Sequence, residues 1–139
     1  MKHITIETTV NELPIKTWDM FYNQKDIENF HTASSDWECT DAYINFEEWN
    51  HFTYTLAKKD GSESFDLQWE FLKIHLYEKV VYKLTDWRKV KTEFFEDVNN
   101  TTKIVQTIDI EEINSPEVQK AWWQAILQNF KHYIEQKIV

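Results

Sequence analysis

Apolar and polar residues alternate at period two near the start of the chain, where Ile4, Ile6, Thr8 and Val10 share one face. Residues 3–10 are therefore predicted as a strand. Pro14 opens a helical pattern carrying Trp18, Phe21 and Tyr22, as proline does in a first turn. Asp26 is the expected cap of a second short helix, DIENFH. Residues 32–41, TASSDWECTD, read as a polar turn around Trp37. Strand signals follow: Phe52, Tyr54 and Leu56, a hairpin turn by composition at 58–61, then Phe65, Leu67, Trp69 and Phe71 alternating with Asp66, Gln68 and Glu70. The apolar phase then moves to Leu72, Ile74 and Leu76. A one-residue slip turns the wrong face inward unless a bulge absorbs it, so a bulge is predicted near Phe71–Leu72. Val80, Tyr82 and Leu84 predict another strand, and Val90, Thr92 and Phe94 the next. After a turn at Asn99-Asn100, Ile104, Gln106, Ile108 and Ile110 close the series. Ser115 as cap and Pro116 at the first position start a long last helix.

Strand, two short helices, about six strands and one long helix make an α+β chain with a mostly antiparallel sheet, read as a single domain over residues 1–139. On a helical wheel, Trp122, Tyr133, Ile126, Phe130, Trp123, Ile134 and Leu127 spread over about half the circumference. A surface helix has a narrower apolar stripe, so this one is expected in the hollow of a curved sheet. Gln119 falls near the centre of that arc, and Gln106 interrupts the inner face of its strand in the same way. Two amides in such places are either met by backbone groups or line a partly polar cavity.

Composition narrows the function. The net charge of −9 argues against nucleic acid and anionic membranes. No apolar run is long enough to span a membrane, and one cysteine, Cys39, allows no internal disulfide, so a cytoplasmic protein is expected. The five histidines show no metal-ligand spacing, and the single glycine, Gly61, cannot build a phosphate loop or a nucleophile elbow. His31 and Cys39 flank a loop whose Asp36 and Glu38 would oppose a thiolate. No catalytic residue, metal or cofactor is expected.

Three stretches then carry a resemblance: ITIETTVNELPIKTWDMFYNQKDIENF at the start, SSDWEC followed by FTYTLAKKDGS in the middle, and AWWQAILQNFKHYIE at the end. Together they resemble the bacterial homologues of the activator of heat-shock protein 90 ATPase, in the START and polyketide-cyclase-like superfamily. The resemblance implies a helix-grip fold, in which a curved antiparallel sheet of six or seven strands wraps the C-terminal helix and two short helices follow the first strand. It implies an apolar cavity between helix and sheet. Relatives usually have a glycine pair where Trp49 and Asn50 stand, and a glycine near Trp87. The leading expectation is a non-enzymatic domain that binds an apolar, lipid-like or aromatic small molecule. Its expected lining is Trp37, Phe52, Tyr54, Trp69, Tyr82, Phe94, Gln106, Gln119, Trp122, Trp123 and Ile126. One alternative is a chaperone-cofactor module that contacts another protein, for which Trp49 and Trp87 in an exposed patch are the diagnostic residues. The other is a cyclase- or hydrolase-type enzyme, which needs titratable groups inside the cavity.

Overall fold

A computed structural model describes residues 2–137. The order is β1 (His3–Val10), α1 (Pro14–Phe21), α2 (Gln24–Phe30), β2 (Trp37–Ile44), β3 (His51–Lys58), β4 (Ser64–His75), β5 (Lys79–Leu84), β6 (Lys89–Asp97), β7 (Thr101–Asp109) and α3 (Pro116–Lys137). The seven strands form one antiparallel sheet in the order β1-β7-β6-β5-β4-β3-β2. Strands β2 to β7 are a meander, and β1 returns beside β7. The sheet curves around α3, giving the helix-grip fold.

The predicted bulge is present: pairing with β5 shifts between Phe71 and Lys73, so Phe71 and Ile74 both face inward opposite Tyr82 and Val80. Ser115 caps α3 by accepting a hydrogen bond from the Val118 amide at 3.2 Å. Two local expectations are corrected. Asn23, not Asp26, caps α2, accepting from the amides of Lys25 and Asp26. Residues 37–44, whose first half read as a turn, form strand β2. The register irregularity between Cys39 and Asp41 breaks the alternation that would have revealed it.

The concave face is a continuous aromatic and aliphatic surface. Phe52 stacks on Phe71 with ring centroids 4.3 Å apart, and Trp69 stacks on Tyr82 at 4.6 Å. Leu127, Phe130 and Ile134 of α3 are buried against this layer. Both sheet edges are closed by helix side chains, which satisfies backbone groups that would otherwise invite pairing with another chain. Glu28 and Gln24 of α2 accept from the Ala42 and Ile44 amides of β2. Lys131 and Gln124 of α3 donate to the Thr9 and Glu7 carbonyls of β1.

Candidate functional site

Two places in this frame can bind something: the gap between α3 and the sheet, and the turns that carry exposed tryptophans.

The gap is lined by Phe52, Tyr54, Trp69, Tyr82 and Gln106 of the sheet and by Trp123, Ile126 and Leu127 of α3. Phe21, Tyr22, Phe30 and His31 close it from the two short helices. Seven of the residues read from the sequence as lining are thus brought together there. The other four stand elsewhere. Phe94 packs inside the core on Trp18, at 5.1 Å, and on Phe21. Trp37 lies at the far end of the concave face, 5.4 Å from the half-exposed Phe65 and within 5.8 Å of the Lys58 ammonium. Trp122 is 46% exposed on the flank of α3 where Asn129 reaches the Thr32 carbonyl, so the apolar arc is open on that side. Gln119 is buried, but its amide is fully engaged in pinning the β7–α3 loop. It accepts from the Glu111 amide and donates to the Glu111 and Asn114 carbonyls. Gln106 donates to the Thr92 hydroxyl at 3.1 Å.

The free volume in the gap is about 20 Å³. That is room for one water molecule, whereas ligand pockets run to roughly 300–1,000 Å³. Aromatic side chains have taken the remaining space. Among the described residues, the buried Tyr22 Oη and Trp69 Nε1 in the lining have no hydrogen-bond partner. Burial pushes the Tyr22 phenol well up, helped by neighbouring Tyr54, while Thr92 tempers the rise without reaching hydrogen-bond geometry. His31, considered in the sequence only beside Cys39 and left out of the expected lining, sits 4.7 Å from the Tyr54 ring and 5.8 Å from that of Trp69. Burial lowers its imidazole to about 4, so it is neutral at physiological pH. Cys39 donates to the Asp41 carbonyl, and burial raises its thiol to about 11, which leaves it a poor nucleophile. Among the described residues, no group of three His, Cys, Asp or Glu side chains is placed to hold a metal.

The turns are built differently. The Asn50 amide donates to the Glu47 carbonyl, which closes a four-residue turn with Trp49 at its third position and φ +71°. Left-handed backbone there is the usual demand for glycine. The β5–β6 hairpin closes through Trp87 N–H to the Leu84 carbonyl and Leu84 N–H to the Arg88 carbonyl, with Trp87 at φ +72°. This is a three-residue loop whose last residue occupies the left-handed bulge position, again a glycine place. The two tryptophans are 66% and 68% exposed. Trp87 lies over the Lys83 ammonium, 3.4 Å from its ring centroid. The sequence signal for both was the absence of glycine where the family resemblance implies it.

Comparison with known proteins fits this architecture. The family model described as "Activator of Hsp90 ATPase homolog 1-like protein" matches residues 13–135. A solution structure of an AHSA1-like protein from Aeromonas hydrophila is 29% identical, with a TM-score of 0.92 over 98% of this chain and 94% of that one. A solution structure from Cytophaga hutchinsonii is 36% identical, with a TM-score of 0.82 over 97% of this chain and 93% of that one. A crystal structure from Nitrosomonas europaea, at 8% identity and a TM-score of 0.81, shares the fold over 97% of this chain and 95% of that one. No curated protein matches the chain.

Proposed function

The chain belongs to the Activator of Hsp90 ATPase homolog 1-like family, and from that premise we propose that it is a protein-interaction module of the chaperone-cofactor type. Its contact surface is the pair of turns bearing Trp49 and Trp87. The observation that carries this reading is the placement of two large, two-thirds exposed indoles at left-handed positions where glycine costs least. A side chain held on strained backbone without being buried contributes little to folding, and exposed tryptophan is the residue type most enriched in binding hot spots. The interior supports the same reading from the other side, since about 20 Å³ accommodates no apolar ligand.

The test is the ATPase rate of purified Hsp90 with and without the chain. The wild-type chain raises the rate, and the Trp49→Gly/Trp87→Gly variant, equally folded by circular dichroism, does not. Equal activation by both proteins, or none by either, overturns the reading. A small-molecule carrier is a second reading, supported by the unpartnered Tyr22 Oη and Trp69 Nε1 in the gap. Native mass spectrometry of protein purified without detergent decides it. A co-purifying apolar molecule supports a carrier, and a bare chain mass counts against it.

A further inference from the structure

The outward face of the central strands reverses the sign of the molecule. The chain carries −9 overall. Yet between positions 79 and 91, Lys79, Lys83, Arg88, Lys89 and Lys91 stand against one acid, Asp86. Register brings more of this charge together. Outward-facing Val81 pairs with Lys73 on β4 and with Lys91 on β6, and Lys79 and Lys83 flank it on its own strand. Four lysines therefore ring one half-buried valine. Lys83 is also directly opposite Lys89, an arrangement of like charges that weakens a sheet. Glu70 partners Lys83 at 3.6 Å and Glu93 partners Lys91 at 3.5 Å. Among the described residues, Lys73, Lys79 and Lys89 make no ion pair.

The two exposed tryptophans border this face. Trp87 covers Lys83. The Trp49 turn is hydrogen-bonded to β4 on both sides of Lys73: the Trp49 amide donates to the Phe71 carbonyl, and the Glu48 carboxylate accepts from the Ile74 amide. We propose that the convex face of β4–β6 docks an acidic segment of a partner protein, with an apolar residue of that segment resting on Val81 and the Trp87 ring. This inference rests on the interaction reading above and names the chemistry of the partner. Lysines held in fixed register around an apolar centre, with Lys73 and Lys79 outside any ion pair among the described residues, complement alternating carboxylates and an apolar side chain. A long nucleic acid is disfavoured, because its field extends to the acidic remainder of the chain.

The experiment is a ¹H–¹⁵N titration with a short peptide of repeating Glu-Glu-Leu, run beside a Lys-Lys-Leu peptide and a short DNA duplex. The acidic peptide is expected to shift amides at position 73 and at 79–91, with binding that weakens about tenfold from low to moderate salt, as exposed charge pairs do. Lys79→Gln/Lys89→Glu lowers that affinity about tenfold or more, while its melting temperature does not fall, because a carboxylate at position 89 relieves the Lys83 repulsion and a neutral amide at position 79 sets no like charge against Glu93. No response to the acidic peptide at millimolar concentration, an equal response to the basic peptide, or a stronger one to DNA overturns the inference. Purified Hsp90 separates the two claims. If the lysine variant binds it as wild type does and the tryptophan variant does not, the acidic-partner inference falls and the interaction reading stands. If both variants bind as wild type, both fall.

Discussion

Replacing Trp49 or Trp87 with glycine separates what the backbone of each turn wants from what its side chain does. Left-handed backbone costs an L-residue about 1–2 kcal/mol, which glycine does not incur. Glycine in turn loses about 0.5–1 kcal/mol more conformational freedom on folding. For Trp49, 66% exposed and with no ring partner among the described residues, Trp49→Gly is expected to leave stability unchanged or raise it by about 1 kcal/mol. Trp87→Gly additionally loses the stacked Lys83, worth about 0.5–1 kcal/mol at an exposed site. It should therefore fall below Trp49→Gly by that amount. Alanine at either position keeps the strain and loses the indole, so each alanine variant should be about 1 kcal/mol less stable than its glycine counterpart. Urea unfolding followed by far-ultraviolet circular dichroism resolves differences of this size. A loss of more than about 1 kcal/mol in Trp49→Gly would refute the reasoning, because it would mean that the indole holds the fold together.

Three further outcomes follow from the interior. His31 titrates near 4 in the folded chain against an ordinary 6.5. The unfolded chain therefore binds the extra proton first, and stability is full above about pH 6.5 and declines as pH falls toward 4, with about 2 kcal/mol lost by pH 5. His31→Phe should flatten that part of the pH–stability curve measured by urea unfolding. Gln119→Leu strands the Glu111 amide and the Glu111 and Asn114 carbonyls. It should cost about 2–3 kcal/mol in the same assay and raise amide exchange in the 111–114 loop. Cys39, buried with a raised thiol pKa, should react with an aromatic disulfide reagent only as fast as the chain unfolds, and rapid labelling under native conditions would contradict its placement.

What the sequence disclosed depended on how local the determining physics was. Strands β3 and β4 were legible because Phe52, Tyr54, Phe65, Leu67 and Trp69 alternate cleanly, and the bulge after Phe71 because a phase slip has one economical solution. Strand β2 was hidden because an edge strand with an irregularity at Cys39–Asp41 and polar outward positions carries no clean period. The wheel of α3 identified the buried residues Leu127, Phe130 and Ile134. It could not say which flank the neighbours leave open, and that flank holds Trp122. His31, Tyr22 and Phe30 entered the gap through the docking of α1 and α2, a tertiary fact with no signature in their own segments. Gln119 was legible as an interior amide, and its partners settle which role it has: it holds a loop.

The seven tryptophans, Trp18, Trp37, Trp49, Trp69, Trp87, Trp122 and Trp123, give the most direct measurement, since each indole N–H has its own ¹H–¹⁵N signal. On addition of purified Hsp90, the signals of Trp49 and Trp87 should shift or broaden while those of Trp69 and Trp123, which line the gap, stay where they are. Perturbation of Trp69 and Trp123 with Trp49 and Trp87 unchanged would contradict an interaction module built on the two turns and return the function to the interior.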